Sequence, residues 1–427
     1  MKNRFIAVFL TVILAAGLLA GCTGTGSEDE TESTAETEAQ TDDSSDSEDT
    51  SSDTAALPDE AVEDVVYYLT DGTLSADDIL FTIDGVDVTA AYYLYWVTYE
   101  AYLYSQTYYN SYYVYPEITQ EFSDGTSMAD LVLNYAYTYM VSYVCAYARA
   151  LEDGVELSGD YLEAYETYYD ESVYELGEEV WESAVYYGYI SEDDYTDEEK
   201  DALIEAYGEY QMLLYVMYYS TTYDGIDDLY YYSNYFNQYR DYLFLEGGEY
   251  ELSDEDIDDY IEEYDLYACD YIFVGNSTSS DITDEEFEEY EALAQEYADE
   301  INSLSGSALE EAIEEYATGS MCFGSSSELI EDSAQQLAEI EVGQAVVSSQ
   351  TEYGYYVLIR EEVTKDTIIT ELEYSVEISV AEMYFESLVS DWMDEAQITD
   401  TGLLDDFDIY TFYENLEDLR DIIDEVD

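Results

Sequence analysis

The chain has 427 residues, with 105 Asp and Glu against 8 Lys and Arg, no His, 54 Tyr, 4 Cys and 2 Pro, for a formal charge of -97. Nucleic-acid phosphates are bound by Lys and Arg that displace counterions, so unaided nucleic-acid binding is excluded and docking on anionic lipid headgroups is disfavoured. Without imidazole there is no serine–histidine triad, cysteine–histidine dyad or zincin motif, while an apolar fraction of 47% over this length allows two or three domains.

Lys2 and Arg4 form a short basic start, and the run from Phe5 to Leu19 is apolar. It is too short to cross ~30 Å of hydrocarbon comfortably and reads as a cleavable leader. Leu19-Ala20-Gly21-Cys22 resembles the lipobox of bacterial lipoproteins. That resemblance implies a signal peptide over 1–22, cleavage before Cys22 and lipid on its thiol, and hence a protein anchored to the outer face of a cell membrane. The alternative is an ordinary leader with a chance cysteine. Removal of the leader leaves Arg149, Lys200, Arg240, Arg360, Lys365 and Arg420 as the cations. Residues 23–58 form an acidic Ser/Thr linker that cannot bury enough apolar area to offset its chain entropy, and it is predicted to be a disordered stalk reaching on the order of 30 Å. Cys145, Cys269 and Cys322 remain after Cys22, an odd set that argues against a disulfide framework without excluding one pair. Cys145 sits in an apolar helical run and reads as a small core residue.

The composition changes at Tyr67, and all 54 tyrosines lie from there on. Leu80 to Val88 alternates around Asp84-Gly85, a hairpin signal. Thr89 is expected to cap a helix carrying Tyr92, Trp96, Tyr99 and Leu103, and a second helix, apolar nearly all round, is expected from about Ser127 to Asp153, stopping at Gly154. Helices continue between Tyr161 and Tyr242, with Thr196-Asp197-Glu198-Glu199 as a capping box. Ser253 opens a helix with Ile257, Tyr260, Ile261 and Tyr264, followed by a strand at Tyr271-Ile272-Phe273-Val274. Then come a helix capped at Thr283 with Phe287, Tyr290, Leu293, Tyr297 and Ile301 on one face, a helix from Ser307, another from about Leu329 to Ile340, and two β-like runs at Ala345–Ser348 and Tyr355–Arg360. Ser379 is expected to cap a last helix bearing Val380, Tyr384, Leu388 and Trp392, and an acidic tail follows. The order of strand, helices and two strands describes a small α+β domain after a helical one.

Several segments resemble the PrsA/SurA group of extracytoplasmic foldases, which carry a parvulin-type peptidyl-prolyl isomerase domain. Phe81 to Thr89 is similar to the group's strand-turn-strand entry into the chaperone helices, and Ser253 to Tyr264 to the acidic helix before the isomerase domain. Cys269 to Val274 lies where the family has a His-Ile-Leu-Val strand. Val342-Gly343-Gln344 and Thr351 to Ile359 resemble its closing segment. The resemblance covers roughly residues 75–400 and implies an α+β protein: a predominantly helical, SurA-like chaperone domain over 59–252, a parvulin-like domain over 253–365, and 366–427 as a C-terminal helix returning to the chaperone domain plus the acidic tail. It implies Tyr271, Cys322 and Tyr356 at the catalytic positions, with Phe273, Phe323 and Ile330 lining the substrate slot. The sequence departs from the family where chemistry is concerned. Both histidines are tyrosine, the Gly-rich loop is shortened to Gly319-Ser320-Met321-Cys322-Phe323-Gly324, and the proline-pocket Met and Phe fall near Ser326 and Ile330.

Prolyl isomerisation breaks no bond. It lowers a rotational barrier of ~18–20 kcal/mol by holding a twisted amide, which calls for an apolar slot and a few hydrogen-bonding groups. Two tyrosine hydroxyls can replace imidazole hydrogen bonds, or their bulk can fill the slot. Retained isomerisation and a role in binding or architecture are therefore both open. No cofactor and no specific metal site is expected, since no Asp-x-Asp-x-Asp-Gly loop occurs, although diffuse divalent-cation binding is. The expected partners are unfolded or partly folded secreted polypeptides, held by an aromatic cradle if the tyrosines form a contiguous exposed patch, and the membrane through the N-terminal lipid. Competing readings are a solute-binding lipoprotein of a transporter, which needs two lobes of repeated βα units, and a surface adhesin. Crowded carboxylates are expected to take up protons more readily when folded, so that stability rises from neutrality towards about pH 5.

Overall fold

The computed structural model describes residues 57–123, 125–192, 195–277, 282–324 and 332–426. The leader, Cys22, most of the linker, Ser326 and Ile330 lie outside the described residues. In chain order the elements are α1 (Asp59–Glu63), α2 (Val65–Leu69), β1 (Ile79–Ile83), β2 (Val86–Thr89), α3 (Ala90–Tyr112), α4 (Met128–Glu152), α5 (Gly159–Tyr186), α6 (Asp197–Tyr218) and α7 (Tyr223–Phe244). They continue with α8 (Asp254–Glu263), β3 (Leu266–Gly275), α9 (Asp284–Ser303), α10 (Ser307–Tyr316), β4 (Gly319–Gly324), α11 (Ser333–Ala338), β5 (Ala345–Val347), β6 (Gly354–Glu361), β7 (Ile368–Ile369), β8 (Tyr374–Ser375), α12 (Val376–Glu395), β9 (Ile398–Asp400) and α13 (Ile409–Val426). The protein is α+β, and every pairing between these strands is antiparallel. The two lobes of repeated βα units that a solute receptor needs are not present among the described residues.

Local chemistry sets most of these boundaries. Asp84 and Gly85 both take positive φ, 48° and 89°, as a tight hairpin turn between β1 and β2 requires. The Thr89 side chain accepts from the Tyr92 amide at the start of α3. Reciprocal capping boxes open α4 at Ser127, α6 at Thr196, α8 at Ser253 and α9 at Thr283. Ser379 behaves differently from expectation. It lies inside α12, where its hydroxyl donates back to the Ser375 carbonyl at 3.0 Å, while Ser375 Oγ accepts from the Ile378 amide at 3.2 Å. The expected acidic tail is also ordered: β9 adds to β1, and α13 buries Ile409, Phe412, Tyr413, Leu416, Leu419 and Ile423. Burying each large apolar side chain contributes about 1.5–3 kcal/mol, which outweighs the acidic outer face of that helix.

The chain divides into two compact units, one of residues through Phe236 together with Trp392 onward, the other Asn237–Asp391. The divisions fall inside α7 and α12, whereas the sequence reading divided the chain at 252 and 365. In the first unit the N-terminal half of α3 is buried on all sides, and Trp96 stacks on Tyr139 at 5.3 Å and on Tyr143 at 5.5 Å. Helices α5 and α6 cross at Gly177 and Gly208. A Cβ on Gly177 collides with the Ile204 carbonyl, and one on Gly208 with the Val173 carbonyl. In the second unit, α9 presents Phe287, Tyr290, Ala294, Tyr297, Ala298 and Ile301 to the sheet, and Leu293 faces solvent instead.

Among the described residues, each of the six cations is engaged. Arg149 pairs with Glu152 at 2.8 Å, Lys200 with Glu192 at 3.7 Å and Lys365 with Glu377 at 2.8 Å. Arg240 is buried between Asp241 at 2.8 Å and Glu382 at 3.7 Å. Arg420 donates to the Tyr218 carbonyl at the end of α6, and Arg360 to the Leu337 and Ile340 carbonyls around the end of α11, both favourable with the helix dipole. Buried Glu100 and half-buried Glu386 and Asp228 pair with no cation among the described residues. Glu100 is 6% exposed, its Oε1 has no hydrogen-bond partner, and burial pushes its carboxyl up to about 8. Glu386 is raised to about 8 by burial and then by Glu382, and Asp228 to about 6 by burial and then by Asp227 and Asp224. Loss of water thus leads, with like-charge crowding second. The capping-box carboxylates of Asp130, Glu199, Asp256 and Glu286 go the other way, held below their usual range by hydrogen bonds from the capping residues.

Two outcomes follow. Gly208→Ala lowers stability by about 1–3 kcal/mol in a thermal melt, because the crossing has no room for a methyl group. At an open helical position the same change raises stability by up to about 1 kcal/mol, so the sign of the shift decides. Unfolded Glu100 titrates near 4.5 and folded Glu100 near 8, so over that interval the folded state binds more protons and stability falls as pH rises. The melting temperature at low salt is therefore higher at pH 5.5 than at pH 8.5, and Glu100→Gln reduces the difference. A melting temperature that rises with pH across this window contradicts the assignment.

Candidate functional site

The sheet of the second unit has the order β4-β3-β6-β5. Strand alternation sends Leu266, Ala268, Ile272 and Val274 of β3 to one face and Tyr267, Cys269, Tyr271 and Phe273 to the other. The first face is covered by Ala294, Ala298 and Ile301 of α9 and by Ala312 of α10, and further along by Ile257 and Tyr260 of α8 with Val376 and Val380 of α12. On the second face, Leu337 of α11 packs over Cys269, Phe323 and Leu358. Beside that plug lies a half-buried group of three rings. Tyr271 meets Tyr356 edge to face at 5.5 Å, and Phe273 meets Tyr356 at 5.1 Å.

Neighbouring strands shape this group. Tyr271 is opposite Gly319 on β4, and a Cβ there meets the Tyr271 hydroxyl at 2.8 Å, so the missing side chain makes room for the ring. The Phe273 amide donates to Thr318 Oγ1 at 3.0 Å and the Tyr356 amide to Ser348 Oγ at 2.9 Å, which fixes the backbone on either side.

The residues expected at the catalytic positions are only partly brought together. Tyr271 and Tyr356 are in contact. Cys322 is not with them: it pairs with Ala268 and packs on the opposite face among Ile257, Tyr260 and Val380. The segment Gly319 to Gly324, expected as a shortened Gly-rich loop, is the edge strand β4, and that pairing fixes the parity which turns Cys322 away. Cys269 occupies the ring face instead, a position that sequence spacing alone does not reveal. Of the expected slot residues, Phe273 is half-buried among the rings, Phe323 is fully buried under α11, and Ile330 falls outside the described residues.

The chemistry available here is neutral. Burial pushes the Cys269 thiol up to about 12 and the Cys322 thiol up to about 11. Burial, and then Tyr271, raises the Tyr356 hydroxyl. Neither thiol is a nucleophile near neutrality, since it is the thiolate that reacts. The arrangement can hold an apolar ring and offer it two hydroxyls.

No family model matches the chain, and no curated protein matches it. Among solved structures, PrsA from Bacillus subtilis is similar over 71% of this chain and 92% of that one, at 14% identity and a TM-score of 0.21. A superposition that loose transfers no residue's role.

The buried thiols give a direct check. At pH 8 a soluble maleimide leaves Cys145, Cys269 and Cys322 of the folded protein unlabelled over minutes and labels all three in denaturant; rapid native labelling of Cys269 or Cys322 contradicts the placement described.

Proposed function

We propose that the chain is a chaperone of secreted polypeptides, tethered by lipid on Cys22 to the outer face of a membrane, which holds unfolded segments on exposed aromatic surface. The observation that carries this reading is the tyrosine cluster at the end of α3. Tyr112, Tyr113, Val114 and Tyr115 are 64%, 79%, 60% and 56% exposed. Tyr108 and Tyr112 are 4.5 Å apart, Tyr109 and Tyr115 stack at 4.5 Å, and Tyr113 joins Tyr109 at 6.2 Å. A contiguous apolar patch on an otherwise heavily charged molecule supports an interaction surface, and stacked tyrosines offer large contact area with little rotamer entropy left to lose. A second exposed group, Tyr186, Tyr187 and Tyr189, lies at the C-terminal end of α5.

The Tyr271, Phe273 and Tyr356 face has the chemistry to hold a proline ring. Any isomerisation there rests on tyrosine hydroxyls and on exclusion of water, since both thiols are held protonated. The acidic Ser/Thr-rich sequence of residues 23–58 is long enough for such a tether to let the body act at a distance from the membrane.

The test is suppression of aggregation of a chemically denatured client. The wild-type protein suppresses it at stoichiometric amounts. The triple variant Tyr112→Ser, Tyr113→Ser, Tyr115→Ser loses most of that effect with an unchanged melting temperature, because none of the three rings is buried. Equal suppression by the variant, or none by the wild type, defeats the proposal.

A further inference from the structure

A cleft of about 530 Å³ lies within the second unit, between the turn after α7, the start of α8 and one side of α12. Its volume falls in the range of ligand pockets, about 300–1,000 Å³. One wall is aromatic. The rings of Phe244 and Tyr384 are parallel to within 11° at 6.2 Å, and Tyr250 leans on Phe244 at 5.7 Å. Tyr384 and Tyr250 are 38% and 47% exposed, so their surfaces are open to an incoming group.

The polar side of the cleft is acidic: Glu249, Glu251 and Asp256 line it, and no Lys or Arg does. Two of these carboxylates are fixed by the protein itself. Asp256 Oδ2 accepts from the Ser253 amide at 2.9 Å and from its hydroxyl at 2.6 Å, while Oδ1 accepts from the Tyr384 hydroxyl at 3.2 Å. Glu251 Oε2 accepts from the Gly247 amide at 3.0 Å. Tyr384 is thus held at both ends, by its stack on Phe244 and by its hydroxyl on Asp256. A rigid aromatic wall beside oriented carboxylates is the arrangement that binds an organic cation, because a ring face and a carboxylate attract the same positive charge from two sides.

We propose that this cleft is a subsite for a basic side chain, arginine above all, of an extended polypeptide. The planar guanidinium can lie against a ring while its N–H groups reach a carboxylate, whereas a lysine ammonium does only one of these well. Among the described residues no three Cys, Asp or Glu side chains are grouped as metal ligands. The formal charge of -97 enriches basic segments near the surface in any case, and the cleft converts that diffuse attraction into a preference for guanidinium. The inference rests on the reading of the chain as a polypeptide-binding protein and adds the class of client, one carrying basic residues.

The experiment uses the full chain and an unstructured, end-blocked Gly/Ser peptide with one arginine, a second peptide with one lysine, and a third in which neutral citrulline replaces arginine, with binding read by fluorescence anisotropy of a terminal dye. The wild-type protein is expected to prefer arginine over citrulline by about fivefold or more, and over lysine by a smaller factor. Tyr384→Ser and Glu249→Gln each reduce the arginine preference by at least about threefold; Glu249 is exposed with no described partner, so this second variant leaves the fold intact should the first disturb it. Arginine selectivity that is absent in the wild type overturns the subsite, as does selectivity that persists in both variants, which is the signature of the diffuse field alone. Aggregation of an arginine-free client, measured alongside, reports separately on the chaperone reading: a wild-type protein that fails there while showing selectivity for arginine loses that reading and keeps the cleft.

Discussion

A chain with 105 carboxylates and 8 cations cannot neutralise its acids by pairing them, and the fold is arranged around that constraint. Most acids are left in water, where self-repulsion is screened. The interior must then be built from side chains that are large, mostly apolar and uncharged, and tyrosine meets that need while still tolerating a wet edge. Hence rings fill much of the first unit's core, with Trp96 on Tyr139 and Tyr143, while the second unit keeps an aliphatic core of Ile272, Val274, Ile301, Val357 and Ile359 and leaves Tyr271, Phe273 and Tyr356 half-buried on the other face of its sheet. Cations appear where one charge serves several groups, as Arg240 does between two carboxylates and Arg360 does at the end of a short helix while lying over Tyr267.

Imidazole and thiolate chemistry are not on offer in the described residues. With no imidazole and with each described thiol desolvated, the molecule has shape, ring faces, hydroxyls and carboxylates to work with. Those groups suit recognition of flexible chains. Exposed rings supply affinity for apolar segments with little dependence on order, and carboxylates favour basic ones. Twisting a prolyl amide needs nothing further in kind, only a slot of the right size.

What the sequence reveals follows the range of the interaction involved. Caps and turns are decided within four residues, so the Asp84-Gly85 hairpin and the helix starts at Thr89, Ser127, Thr196, Ser253 and Thr283 are legible without a structure. Ser375 and Ser379 are four residues apart and each has a plausible following turn; choosing between them needs the preceding hairpin of β7 and β8, which has no turn signature. Acidic residues hide the apolar stripe of α13, although Ile409, Phe412, Leu416, Leu419 and Ile423 keep helical spacing. Glycines at both ends make β4 look like a loop, and without its register neither the face of Cys322 nor that of Cys269 can be known. Tyr271 and Tyr356 converge because they lie two positions from cross-strand register, a relation between segments far apart in sequence. The cleft beside Tyr384 joins residues 244–256 to residues 384–388 of α12, far apart in sequence, and carries no local pattern at all.

The central claim is that aromatic surface, with no reactive side chain, engages extended polypeptide. Amide hydrogen exchange of the full chain with and without a reduced, permanently unfolded client tests it most directly. The account predicts slower exchange on client addition in the last turns of α3 through residue 115 and in β3 and β6 beside the three rings, with α9 and α13 unchanged. Exchange unaltered at those segments, under conditions where the client is demonstrably bound, contradicts it.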